Sequence, residues 1–197
     1  MSAPPWAGEP LVGAIAALER ALAGLGADHM IIGGIAVIAR GVVRKTDDVD
    51  ATVWGEQVDL DRLMDALRAH GIQGRIDDAV EFARRHQVLL LRHEPSGTPM
   101  EVGLGWLPFE REALDHAEKL DLAGVTVPVA RAEDLVVYKA VAWRDRDRDD
   151  VRSLLALHGR TMNLERVRRL LRSFAEALER PERVGEFDRL VAEALGA

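Results

Sequence analysis

The chain has no cysteine among its 197 residues, which excludes disulfides and thiolate metal sites outright. Lysine is scarce: only Lys45, Lys119 and Lys139 interrupt a basic complement that is otherwise arginine. Net charge is −7, so attachment to nucleic acid through bulk charge is not expected, although the arginines leave room for a local basic groove. Long apolar runs are missing too. The stretch around residues 30 to 43 is broken by Gly33-Gly34 and Arg40, and Glu19 and Arg20 interrupt the apolar segment behind "MSAPPWAGEP", which itself has no basic run. A signal peptide or membrane span is therefore not expected, and a soluble, cytoplasmic protein is. The six histidines lack metal-ligand spacing, and the chain shows no internal repeat or long linker.

What is present reads as an ordinary globular protein, 48% hydrophobic and 30% charged, long enough to bury a core unaided. Leu11, Ile15, Leu18, Leu22 and Leu25 recur at helical spacing and Gly26 ends them. "HMIIG" has strand length, "GIAVIARG" forms a short helix, and "DVDATV" is a second strand closed by Gly55. Residues 57 to 70 form a helix with Leu60, Leu63, Met64 and Leu67 on one face. "HQVLLLRHE" and "PMEVGLG" pair across "EPSGT", and "LDLAGVTVPVA" turns at Ala123-Gly124. From about residue 131 every segment has helical period. The expected fold is a mixed α/β (α+β) sheet flanked by helices, with residues 1–129 as core and 130–197 as a helical cap.

The stretch "IIGGIAVIARGVVRKTDDVDATV" carries the chemistry. Alternate strand residues share a face, so Asp48 and Asp50 project together while Val49 turns to the core. Two carboxylates side by side are unfavourable unless a cation lies between them, and oxygen-only ligation points to Mg²⁺ or Mn²⁺. Gly33-Gly34 lets the backbone approach a bound group closely, and the helix start behind it offers free N–H groups suited to phosphate. Asp47 faces away and is not assigned chemistry.

A glycine pair opening a short helix, followed by an Asp-x-Asp strand, resembles the polymerase-β nucleotidyltransferase superfamily. Arg44-Lys45-Thr46-Asp47-Asp48-Val49-Asp50 is similar to the form found in its AbiEii toxin-like and minimal-nucleotidyltransferase groups. The resemblance continues through Glu101, which stands where a third, usually aspartate, carboxylate is supplied. It extends to Glu133-Asp134-Leu135, Lys139, Arg144, Asp147 and Asp150, and so covers roughly residues 28 to 158. It implies a mixed sheet and transfer of an NMP from an NTP to an acceptor hydroxyl. By the same resemblance Asp48, Asp50 and Glu101 hold Mg²⁺ or Mn²⁺; Gly33, Gly34, Arg44, Thr46 and Lys139 contact the nucleotide. The acceptor it implies is an RNA end such as tRNA, or a protein, in a toxin with a cognate antitoxin. The alternatives are an aminoglycoside-type small-molecule acceptor and an inactive nucleotide- or partner-binding module. A structural ion pair within "RDRDRDD" is the other reading of Asp147 and Asp150.

Overall fold

Residues 9–196 are described by the structure, a computed structural model, and most of the N-terminal stretch read for a leader lies outside them. The strands form one seven-stranded mixed sheet. In chain order the elements of the first part are α1 (Glu9–Gly24), β1 (His29–Ile31), α2 (Gly33–Ala39), β2 (Val49–Trp54), α3 (Leu60–Ala69), β3 (Ile72–Gly74) and α4 (Ala79–His86). They continue with β4 (Val88–His93), β5 (Thr98–Gly105), α5 (Pro108–Asp115), β6 (Glu118–Leu122) and β7 (Val125–Val129). Four helices follow: α6 (Ala132–Ala142), α7 (Asp145–His158), α8 (Leu164–Ala177) and α9 (Glu182–Leu195). The fold class is mixed α/β, as the sequence predicts.

The chain forms two compact units. One holds Arg44–Ala130 with the chain before Arg40, and the other holds Arg40–Val43 with the chain from Arg131 onward. In the first, the strand order is β3-β4-β5-β2-β1-β7-β6. β2 runs parallel to β5 and β1 parallel to β7, and the remaining neighbours are antiparallel. β2 therefore sits in the middle of the sheet. Its residues are buried on both faces (Val49 and Val53 at 0% exposure, Thr52 at 1%), as a strand covered on two sides requires, and Asp50 alone keeps partial exposure.

Local chemistry explains most boundaries. α1 buries Ile15, Leu18 and Leu22, and Gly26 in the left-handed region turns the chain away. α3 starts at Leu60 rather than near residue 57 because the Asp59 side chain accepts from the backbone N–H groups of Asp61 and Arg62. Ala123 and Gly124 both adopt positive φ at the β6–β7 turn, the backbone that two-residue hairpins favour. Three elements have no counterpart in the sequence reading. β3 has three residues, too few for a period. α4 buries only Ala79 and Ala83, and α5 buries Phe109, Ala113 and Leu114 after a proline at its start.

His93, at the end of β4, illustrates a buried polar position. It is 7% exposed and shares a hydrogen bond of 2.7 Å with the Ser96 hydroxyl. Burial, helped by the charge of Arg20, holds its pKa below the ordinary 6.5. The unfolded chain thus binds the proton more readily, so this contribution to stability is present above pH 6.5 and is lost as pH falls through the lowered folded value. His93→Gln is expected to flatten the acid limb of stability against pH, measured by urea unfolding between neutral pH and pH 5.

In the second unit, α6 packs against α7 and α8, and α9 against α7 and α8. α6 is apolar nearly all round, with Leu135, Val136, Val137 and Ala140 fully buried. Its last carbonyls need partners, and Arg183 donates to those of Ala140 and Val141. The aspartates of "RDRDRDD" depart from the solvated helix start that their composition suggests. Asp147 and Asp150 are 5% and 3% exposed. Among the described residues no helix is long and apolar enough to cross a membrane.

Candidate nucleotide-binding site

The site grows from the junction where β1 leads into α2 beside the start of β2. The backbone N–H of Ile32 donates to the carbonyl of Asp50 at 2.9 Å, so the turn that follows is pressed against the Asp-x-Asp strand. Gly33 has φ +62°, a conformation that disfavours any side chain, and a Cβ there would lie 1.9 Å from Asp50 Oδ2. The space a side chain would fill is occupied by the Asp50 carboxylate. At Gly34 a Cβ would meet Thr46 Oγ1 at 2.4 Å and Arg44 Nη2 at 3.0 Å. Each glycine is therefore matched to particular groups of the following loop and strand. The close approach expected from the sequence is made first by the protein's own side chains.

Thr46, 5% exposed, donates its hydroxyl to Asp48 Oδ1 at 2.6 Å. That bond uses one carboxylate oxygen and fixes how the other points. Asp48 itself precedes β2, which begins at Val49, and both Asp48 and Asp50 are half-buried while Asp47 is exposed. Arg44 Nε donates to the Lys45 carbonyl at 3.1 Å, which curls its guanidinium back toward the loop. Gly33, Gly34, Arg44, Thr46, Asp48 and Asp50 thus gather at one place.

Glu101 is the direct neighbour of Asp50 across the parallel β2–β5 pair, and its flanking Met100 and Val102 are fully buried. Neighbours in register share a sheet face, so the third carboxylate stands on the face of Asp50. Its side chain, however, is 52% exposed and ion-paired with Arg75, Nη2 to Oε1 at 2.9 Å. Among the described residues no three acidic or histidine side chains are grouped to hold one metal ion. The set of Asp48, Asp50 and Glu101 expected from the sequence is thus represented by two carboxylates and a third held by arginine. Arg75, just past β3, escaped the sequence reading.

Two carboxylates suffice to fit a Mg²⁺ ion, which ordinarily takes one or two from the protein and completes its shell with substrate phosphates and water. The packing of Gly33 against Asp50 presents one of them ready-made. Lys139 belongs to the helical unit. Its Nζ lies 2.9 Å from Asp147 Oδ1 and 3.0 Å from Asp150 Oδ2, and all three side chains are largely buried. Asp147 also accepts from the backbone N–H of Arg144 at 3.0 Å. In the same helical unit Asp134, fully buried, binds Arg131 and Arg166.

No curated protein matches the sequence. Residues 107–187 match the family model described as "Nucleotidyl transferase of unknown function (DUF2204)", a segment from the start of α5 into α9. Two similar solved structures are of the antibiotic-resistance factor ANT(2'')-Ia. Its solution structure is 19% identical, with 86% of this chain and 93% of that chain covered at a TM-score of 0.59. Its crystal structure in complex with adenylyl-2''-tobramycin is also 19% identical, with 85% and 98% covered at a TM-score of 0.58. The chain has the fold of a nucleotidyltransferase.

Proposed function

We propose that the chain transfers a nucleoside monophosphate from an NTP to an acceptor hydroxyl at the junction of Gly33, Thr46, Asp48 and Asp50. The observation that carries this reading is the fit of the Asp50 carboxylate into the space left by Gly33. Mg²⁺ or Mn²⁺ held by Asp48 and Asp50 would supply positive charge beside the phosphates. Thr46 orients Asp48 through its hydroxyl, and Gly33 confines Asp50. Backbone N–H groups of Gly33-Gly34, together with Arg44, donate to the β- and γ-phosphates. The acceptor oxygen bonds to the α-phosphorus while its proton passes to Glu101. The bond from that phosphorus to the bridging oxygen breaks, and pyrophosphate leaves with the electron pair.

A cationic, aminoglycoside-type acceptor is the favoured class. The net charge of −7 attracts such a molecule, and the fold is shared with ANT(2'')-Ia, crystallised with an adenylylated tobramycin. Two arginines of α8 that a basic RNA groove could draw on are engaged within the helical unit, Arg166 with Asp134 and Arg168 with Asp188. A second reading, an RNA end or protein as acceptor in an AbiEii-like toxin with its antitoxin, is favoured by Arg160, Arg169 and Arg172, which stay exposed.

The test is calorimetric titration of Mg²⁺-NTP into the wild type and Asp50→Asn. Binding should require the metal and weaken about a hundredfold or more in the variant, because losing even a group that supports a metal ligand costs roughly 10–100-fold. Binding indifferent to both metal and substitution would sink the reading. Labelled NTP offered with aminoglycosides, RNA and protein then separates the acceptors by which species carries the label. Tight binding without pyrophosphate release on any of them identifies an inactive nucleotide-binding module.

A further inference from the structure

The third carboxylate already has a cation. Asp50 pairs in register with Glu101, Glu101 with Leu90, and the backbone N–H of Arg75 donates to the Leu90 carbonyl at 2.8 Å. Asp50, Glu101, Leu90 and Arg75 therefore form one transverse row across four adjacent chain segments, each roughly 4.8 Å from the next. Leu89 and Leu91 point into the core at 0% exposure, so Leu90 faces the same side as the two carboxylates. Arg75 reaches across this apolar position to Glu101 at 2.9 Å.

The geometry sets two demands on Glu101. Glu101 is close enough in register to serve Asp50's ion, and its extra methylene relative to aspartate lets it extend the other way, to Arg75. We infer that Arg75 is an internal competitor for the third carboxylate: it holds Glu101 off the divalent ion until metal-nucleotide loading, when Glu101 transfers from the guanidinium to the metal. The inference rests on the proposed metal-nucleotide reading of Asp48 and Asp50. Arg75 is then a positioning residue that acts through Glu101. Because the pair is partly exposed, with Arg75 and Glu101 side chains at 27% and 52%, the guanidinium is a weak competitor that a dication can displace.

The experiment is Mn²⁺ titration of the full chain without nucleotide, free ion read by electron paramagnetic resonance, in wild type, Arg75→Met, Arg75→Lys, Glu101→Gln, the Arg75→Met/Glu101→Gln double variant and Asp50→Asn. Arg75→Met should bind Mn²⁺ about threefold to fivefold more tightly, the worth of an exposed ion pair. Arg75→Lys, which keeps the cation, should stay near wild type. The gain should vanish when Glu101→Gln is combined with Arg75→Met, because it is routed through that carboxylate. A gain that survives in the double variant is a through-space charge effect and overturns the inference, as does no gain at all. If Asp50→Asn abolishes Mn²⁺ binding while this cycle is flat, only the competition fails. If the wild type takes up no Mn²⁺ even after NTP is added, the metal reading fails and takes the competition with it. Thermal melts of each variant confirm that folded protein is compared throughout.

Discussion

Gly33→Ala is expected to lose metal-nucleotide binding almost as fully as removal of the Asp50 charge itself. The methyl group would sit 1.9 Å from Asp50 Oδ2 and 2.6 Å from its Cβ and Cγ, far inside contact distance. The backbone on both sides of the clash is fixed: Asp50 lies in a central strand, and its carbonyl is bonded to Ile32, next to Gly33. The left-handed backbone adds about 1–2 kcal/mol against any side chain. The carboxylate must therefore swing away, or the β1–α2 turn must open. Loss of a group that orients a metal ligand typically costs roughly 10–100-fold in affinity. Calorimetry with Mg²⁺-NTP checks this, with circular dichroism to verify that the sheet persists. Wild-type affinity in a folded Gly33→Ala protein would show that Asp50 is not the anchoring ligand.

The largest expected effect on stability lies at Lys139. Lys139→Met leaves Asp147 and Asp150 buried at 7% and 4% side-chain exposure without the ammonium they share. Breaking a buried ion pair from one side costs about 3–5 kcal/mol, a large share of the roughly 5–15 kcal/mol that holds a domain folded. For a chain of this size that corresponds to a fall in melting temperature of roughly 6–20 °C, read by scanning calorimetry. Combining Lys139→Met with Asp147→Asn and Asp150→Asn should restore part of the loss, since neutral amides are cheaper to bury than unpaired carboxylates. A Lys139→Met protein that melts with the wild type would mean that the cluster contributes nothing to stability. This prediction also separates two explanations of an inactive Lys139 variant, because failure to fold shows in the melt.

Much of this was legible in the chain because the signals are local. Asp48, Val49 and Asp50 announce their faces by alternation, and the buried Val49 between two half-buried acids matches it. The helices after residue 131 announce themselves by period. What escaped is non-local or small. The matching of Gly33 to Asp50 and of Gly34 to Thr46 depends on how β1 lies on β2, which no spacing within either segment encodes. Arg75 could have been found only by extending the β4–β5 hairpin register outward by one more strand. Asp147 and Asp150 were legible as ionic but not as buried, because burial depends on which helix face the neighbours cover. β3, α4 and α5 are short, and their alanines carry little hydrophobic signal.

The two parallel pairings have a consequence for how the molecule is made. Ile31 finds its partner at Val129, and Asp50 finds Glu101, so neither edge of the β1–β2 pair can close from nearby sequence. Closing such long loops is slow, because the entropy is lost before any contact compensates it. During synthesis, at roughly 5–20 residues per second, the interval between completing β2 and completing β7 lasts about 4–15 s. Throughout it the β1–β2 pair has an open edge on the ribosome. The carboxylate row is assembled about two-thirds of the way through that interval, when β5 joins β2. Strand closure at β7 comes last, so the nascent chain brings Asp50 and Glu101 side by side before the sheet around them is finished.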